Sequence, residues 1–404
     1  MSAPPSTEYR EYASYWSIVW EQFQKNRLSY VALWAIGLLF FIAVCAPIGA
    51  SSYPFVWDDG TGLSFPWFRA LLFNRNLFAS SIDIFFNLVL VLSPLLFGTW
   101  FVLRRKTASM RPAAAAQVKL KAIGGWAVFI LVSFAILMLM DEPKLAVPQF
   151  RTLALSNPDI FSIFPPIRIH YSDTLQRVSG PGTFNLLGVD GASRDIFVRL
   201  IYGTRVSLSV GVIAVSIYIT IGTILGSIAG YFGGLVDIGI QRLIEIFLCF
   251  PTFFLILTLI GFLPQPSIIY VMLFIGLLGW TSSARLVRGE FLRLKNVDFV
   301  AAARAQGLGN RRIIFRHILP NAIGPVLVNA TFGVASSVLI ESTLAFLGFG
   351  DPTLPSWGDL LQFGRATGST TMMLIAGAAI FITVSVFNLA GEGIRDALDP
   401  KLRK

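Results

Sequence analysis

Histidine and cysteine are nearly missing from this 404-residue chain, two of each, and only 13% of its residues are charged. Cys45 and Cys249 both lie inside apolar runs, so they indicate neither a disulfide framework nor a thiolate metal site and read as packing residues. His170 and His317 cannot form a metal cluster on their own, and His317 reads as a surface contact. No Gly-x-x-x-x-Gly-Lys-Ser/Thr run occurs, so the chain has no phosphate loop for ATP. Neither a Gly-x-Ser-x-Gly elbow nor a His-Glu-x-x-His pair is present, which leaves hydrolase or membrane-protease chemistry with little support. No basic and aromatic nucleic-acid module accompanies the net charge of +10. That charge reads as cytoplasmic loops and contact with anionic lipid, without nucleic acid as a partner.

What is abundant is apolar sequence, 55% of the residues, far too much for a soluble protein of this length. The chain reads as an all-α polytopic membrane protein with about eight spans: 28–47, 82–103, 122–140, 206–229, 237–262, 267–282, 323–346 and 371–389. The polar N-terminus, 1–27, carries no cleavable signal pattern, so the first span is expected to remain as an anchor. Lys25 and Arg27 before span one place it in the cytoplasm, and Arg104, Arg105, Lys106, Arg111, Lys119 and Lys121 make 104–121 a basic cytoplasmic loop. External segments are expected at 48–81 and at 141–205, the latter with Pro143, Pro148, Pro158, Pro165, Pro166 and Pro181. With both termini inside, 22 of the 32 Lys and Arg fall in cytoplasmic segments, in keeping with that orientation.

Several polar residues fall in or near spans. Asp83 and Asn87 are expected at the outer end of the second, where water or headgroups hydrate them. Asp195, Arg199 and Arg205 are expected at the outer interface, orienting the fourth. Gly222, Gly226 and Gly230 recur every four residues, the spacing of a close helix–helix approach. Arg242 and Glu245 share a helical face and can neutralise one another. Pro251 should kink the fifth span and free a carbonyl, tolerable only against protein or a watery cavity. Asn329 and Glu341 lie in the seventh; Glu341 is either part of a polar pathway or simply hydrated or paired with Arg365 near the outer end.

The segment 298–321, within a long cytoplasmic loop 283–321, is polar, basic and punctuated. Asp298 can cap a short helix through Gln306, and Gly307 stops it. Asn310 can cap a second helix that ends at Pro320, with Ile313, Ile314, Phe315, Ile318 and Leu319 giving apolar surface and Arg311, Arg312 and Arg316 giving charge. Charge alone fits an ordinary basic loop. The spacing is more specific: Ala302-Ala303, then Gly307, then His317-Ile318-Leu319-Pro320 resembles the cytoplasmic coupling motif of ABC importer permeases, with Ala301 in place of that motif's glutamate and His317 in place of its isoleucine.

The resemblance extends to Leu186-Leu187-Gly188-Val189-Asp190-Gly191-Ala192-Ser193-Arg194-Asp195, where Ser193 replaces a family glycine, and to Tyr202-Gly203-Thr204-Arg205. It continues at 341–350, at Ser356-Trp357-Gly358 and at the tail to Arg403. It runs from about Asn185 onward, with a weaker match at Lys25 to Pro47, and is similar to the C-type subunit of the dipeptide, oligopeptide and nickel branch. It implies a type I, MetI-like permease core at 206–393, a cytoplasmic tail at 394–404 and an inserted N-terminal hairpin at 82–140. It also implies a bacterial inner-membrane location and alternating access driven by partners: a second homologous permease, two ABC ATPases that bind ATP-Mg, and an external substrate-binding protein. No cofactor is expected in this chain. Ala302, Ala303, Gly307, Arg311, Arg312, Arg316, His317, Leu319 and Pro320 would form the ATPase-coupling element. A receptor or scaffold using the same helix pair is the alternative; an intramembrane enzyme lacks the histidine or paired carboxylates it would need.

Overall fold

A computed structural model describes residues 15–60, 62–75, 77, 78, 80–110, 112–140, 150–174 and 186–399. The polar run 1–14, Arg111, Pro143, Pro148, Pro181, Asn185 and the tail from Pro400 lie outside the described residues. In chain order the elements are α1 (Tyr15–Lys25), α2 (Arg27–Gly49), β1 (Val56–Asp58), β2 (Leu63–Ser64), α3 (Pro66–Phe73), α4 (Ser81–Thr107), α5 (Pro112–Leu139), α6 (Phe150–Ser156) and β3 (Phe161–Ile163). Then come α7 (Ile196–Phe232), α8 (Gly234–Leu248), α9 (Thr252–Gly261), α10 (Ile268–Leu294), α11 (Asp298–Ala305), α12 (Asn310–Ile313), α13 (Leu319–Leu344), α14 (Trp357–Thr367) and α15 (Thr370–Leu398). Wide π turns at Ile314–Ile318 and Ala345–Phe349 flank α13.

Among the described residues, seven helices are long and apolar enough to cross a membrane, and α8 with α9 makes an eighth span if counted together. Their axes differ by 70°, so Pro251 does more than kink the fifth span: the helix stops at Leu248 and restarts at Thr252. Most helices outrun their apolar windows. The basic loop 104–121 is largely helical, because α4 carries Arg104, Arg105 and Lys106 in its last turn and α5, with Lys119 and Lys121, begins at Pro112. Likewise α7 starts ten residues before Val206, and 283–321 is no loop, since α10 runs on to Leu294. Cys249 is exposed, against the expectation that it packs, with its thiol 3.2 Å from the Glu245 carbonyl.

The chain divides into two compact units. One comprises Leu39–Ser209 and Ala345–Gly377. Here a small antiparallel sheet, ordered β2-β1-β3, turns Trp57 inward, and Tyr53, Trp67, Leu71, Phe78, Ile169 and Tyr202 share its core. The charged groups expected at a hydrated interface are buried in this unit. Arg205 is fully enclosed; its guanidinium lies 3.0 Å from Asp83 and donates to the carbonyls of Ala43 (2.6 Å) and Val44 (3.3 Å). Tyr171 donates to the other Asp83 oxygen at 3.1 Å, and Asn87 donates to the Leu71 carbonyl at 2.9 Å. Partners inside the protein replace the water that hydropathy alone demanded, as a charge withdrawn from solvent requires. His170, edge-on to Phe78, is buried as well, and that burial holds its imidazole neutral down to about pH 3.

Asp195 opens α7, accepting from the Val198 amide at 2.9 Å, and Arg199 one turn on is clasped between Asp359 and Asp190. Asp190 organises its own turn by accepting from the amides of Ala192 and Arg194, both at 2.9 Å. Gly203 leaves room for the Trp357 ring, which an added Cβ would meet at 3.1 Å, and the Trp357 indole donates to the Leu200 carbonyl at 3.2 Å.

The second unit comprises Met1–Leu38, Val210–Leu344 and Ala378–Lys404. Its centre is the crossing of α7 and α10. A Cβ at Gly222, Gly226 or Gly230 would lie 2.5–2.6 Å from Ser283, the Ala284 carbonyl or Phe291, so α10 packs directly on the bare backbone of α7. From the α10 side Gly276 does the same against Ile217. On α13, Gly333 makes room for the Tyr218 hydroxyl, which donates to the Asn329 carbonyl at 3.3 Å.

Two stability outcomes follow from backbone geometry. Gly226→Ala should cost about 1–3 kcal/mol through overpacking, whereas Gly239→Ala on α8, where an added Cβ meets nothing, should gain up to about 1 kcal/mol from helix propensity; thermal unfolding in detergent measures both. Ser193, at φ 61°, is the one non-glycine residue in the left-handed region among the described residues. Ser193→Gly should therefore raise the melting temperature, by the equivalent of up to about 1 kcal/mol.

Candidate functional site

The segment after α10 is built as a rigid ledge. Two positive-φ glycines, Gly233 (67°) and Gly234 (56°), turn the chain from α7 into α8, and Lys295 reaches back to the Gly230 carbonyl at 3.1 Å. Arg288 grips Asp237 with two nitrogens, at 2.5 and 2.6 Å, fixing α8 to the lower part of α10. Asp298 does not cap α11: Val297 holds the extended cap position and Asp298 is already helical, placed to complement the helix dipole.

Gly307 ends α11 as expected of a glycine stop, in the left-handed conformation at φ 75°. The amide of Leu308 donates to the Ala303 carbonyl (3.2 Å) and that of Gly307 to the Arg304 carbonyl (2.9 Å), the paired bonds of a Schellman cap. Leu308 then tucks against the core beneath.

The second helix departs from expectation at both ends. Gly309, extended at ψ 151°, is its cap residue; Asn310 is one position too late, and its side-chain oxygen accepts from the Tyr231 hydroxyl at 2.8 Å. Pro320 does not end it. The Ile314–Ile318 turn widens to π geometry, with the Leu319 amide donating to the Ile314 carbonyl five residues back. That extra width accommodates the proline ring, and the Asn321 side chain donates to the His317 carbonyl at 2.7 Å. The helix thus continues from Asn310 past Pro320 through α13, until Gly348 leaves the helical conformation at φ 93°.

Burial sorts the residues that sequence grouped together. Ile313, Ile314 and Ile318 face inward with Val287, Phe291, Val300 and Ala303, so they anchor the ledge and offer no surface. Ala303 is only 4% exposed and cannot meet a partner directly. The exposed face carries Ala302, Gly307, Arg311, Arg312, Phe315, Arg316 and Pro320, with His317 and Leu319 half-buried. Phe315 is 61% exposed, and with Gly309, Arg311 and Arg312 it lines a recess of about 530 Å³. Arg304, a cation of the segment not singled out by its sequence, lies over the Tyr231 ring at 5.5 Å. The ledge therefore presents an aromatic knob ringed by arginines, on a base held by apolar packing.

The remaining polar candidates are not brought to this face. Arg242 and Glu245 meet at 2.6 Å but stand in the open, where such a pair contributes about 0–1 kcal/mol. Glu341 is buried, 2% exposed, with Ser342 donating to it at 3.3 Å, which corrects the expectation of hydration. Arg365 lies over the Phe346 ring at 5.0 Å.

Comparison with known proteins agrees with this construction. A family model described as a binding-protein-dependent transport system inner membrane component matches residues 222–404, which include the whole ledge. A second, the N-terminal TM domain of oligopeptide transport permease C, matches residues 14–63. The chain is 39% identical to the dipeptide transport system permease protein DppC of Alkalihalophilus pseudofirmus over 60% of its length and 82% of the relative's. The chain belongs to this permease family. It is 42% identical to OppC of Haemophilus influenzae over 54% of its length and 71% of that protein's, and 36% identical to GsiD of Pectobacterium atrosepticum over 58% and 78%. A solved inward-facing MetNI methionine ABC transporter aligns with a TM-score of 0.41 at 20% identity, over 50% of this chain and 97% of that one. The protein is thus a permease subunit of an ABC importer in a bacterial inner membrane, with the family's helical core. Neither family model reaches residues 64–221, and so neither includes α4 and α5.

The cap at Gly307 can be tested without steric interference, because an added Cβ there meets nothing within 4 Å. Gly307→Ala should cost about 1–2 kcal/mol from the left-handed backbone alone, read as a lower melting temperature in detergent.

Proposed function

We propose that this permease imports peptides, and that the α11–α12 ledge is where two cytoplasmic ATPases transmit their closure to the membrane helices. The observation that carries the reading is the exposed Phe315 with Arg311, Arg312 and Arg316 on a base of buried isoleucines, a shape suited to a groove on another protein. Phe315 supplies an anchor that loses water on docking, while the arginines select an acidic rim and steer association. Ala302 and Gly307 let the partner surface come close.

Closure of the ATPases on ATP would move the ledge as a body, because Ile313, Ile314 and Ile318 pack it onto α10 through Val287 and Phe291. Tilting α10 moves α7, against whose glycine backbone it packs directly. A cavity between this subunit and a second, homologous permease would then open outward to a substrate-binding protein, and hydrolysis would reset it. ATP-Mg is assigned to the partner subunits. The positively charged segments, ledge included, are assigned to the cytoplasm. Peptide as the substrate rests on the relatives, which are named for dipeptide, oligopeptide and glutathione transport.

Purification of the tagged protein in mild detergent should recover a second permease and ATPase subunits, with ATP turnover stimulated by peptide-loaded binding protein. Gly307→Val should keep the subunits together while abolishing peptide uptake, and replacing Arg311, Arg312 and Arg316 with glutamine should release the ATPases at lower salt. Normal uptake in the Gly307→Val protein would sink the assignment of the ledge; recovery with a partner that lacks a phosphate loop would favour a scaffold.

A further inference from the structure

The hairpin of α4 and α5 lies outside both matched family regions and has a construction of its own. At one end it is closed: Ile84, Leu88 and Leu92 pack against Ile130, Phe134 and Leu137. From Pro94 onward the two helices leave a groove of about 760 Å³, lined by Leu95, Gly98, Val102, Gly125, Trp126 and Phe129 and ending at Lys106. Pro94 has no amide for the Leu90 carbonyl, which accepts instead from the Ser93 hydroxyl at 2.7 Å. Gly98 and Gly125 differ from the glycines of α7, since a Cβ on either would meet nothing within 4 Å. They widen the groove and bring no helix closer.

Length and charge identify what would fill it. Pro94 to Lys106 is about 18 Å of helix at 1.5 Å per residue, close to the ~15 Å half-thickness of a bilayer's hydrocarbon core. The walls are apolar along one leaflet's depth, and the mouth is basic. Lys106 lines the mouth, and Lys119 stands on the same face of α5 as Ala122, Trp126 and Phe129, one turn beyond them. Neither lysine is in an ion pair among the described residues, whereas Arg104 and Arg105 lie over Trp100 and Phe101 at 5.5 and 4.3 Å.

We propose that this groove seats an acyl chain of an anionic phospholipid, whose phosphate is held at the mouth by Lys106 and Lys119. A zwitterionic lipid would fill the walls equally well, but its own headgroup cation already balances its phosphate, so only an anionic headgroup brings net negative charge to the two lysines. The site is independent of what the permease carries.

The test uses the intact assembly, native mass spectrometry and an equal mixture of phosphatidylglycerol and phosphatidylcholine. Wild type should retain phosphatidylglycerol preferentially, and the Lys106→Gln/Lys119→Gln protein should lose that preference by about tenfold or more. Gly98→Leu with Gly125→Leu should reduce retention of both lipids. A photo-reactive residue in place of Gly125 should form its adduct with phosphatidylglycerol. Retention unchanged in both double variants, or an adduct with a protein chain in place of lipid, would overturn the proposal; the second outcome would make the groove a helix-docking face.

Discussion

The contact between α7 and α10 is the constraint on which the permease core depends. Gly222, Gly226 and Gly230 let α10 lie directly on the α7 backbone, and α7 contributes no side chain there to absorb movement. Everything beyond α10 inherits its position from that contact: Arg288 fixes α8, Phe291 carries the buried isoleucines, and the isoleucines carry the exposed arginines. In the proposed coupling role such a chain would pass a displacement of the ledge on to the span, where a softer link would dissipate it.

The other unit solves a different problem. Its long polar segment contributes charges that hydropathy assigns to water, and the fold encloses them instead. Arg205 with Asp83, and Arg199 with Asp359 and Asp190, are pairs whose desolvation offsets most of their attraction, so their value lies less in net stability than in the penalty for any arrangement that separates them. Arg205 also donates to the carbonyls of Ala43 and Val44 in α2, so one side chain fixes the register of α7, α4 and α2 at once.

Much of this was legible in the sequence, and the exceptions have physical causes. The spans, the glycine spacing and a bend at Pro251 follow from apolar run length and from the geometry of glycine and proline, which act locally, whereas the full stop and restart of the helix there do not. Span boundaries were not legible, because a hydropathy window ends at the first charged residues, while α7 and α10 continue wherever those residues find partners. Asp298 and Asn310 have the right chemistry for caps but sit one residue inside their helices, a register that tertiary packing decides. Pro320 reads as a stop only if the preceding turn has ordinary width; the π turn was invisible in composition. On the ledge, sequence gave charge and apolarity without saying which isoleucines face in, and Ala303 was grouped with the surface for that reason.

The break between α8 and α9 has a mechanical consequence. The Phe250 amide makes the last bond of α8, to the Phe247 carbonyl, and the Leu255 amide starts the ladder of α9 from the Pro251 carbonyl, so neither ladder crosses the joint. Proline fixes its own φ and confines the ψ of Phe250 before it to the extended region, which leaves the ψ of Pro251 as the softest coordinate. The two half-rods can therefore change their mutual inclination along a narrow arc without melting a turn of either. A continuous helix would have to bend or shift whole; here a joint is supplied ready-made, with its direction of travel restricted by a single pyrrolidine ring.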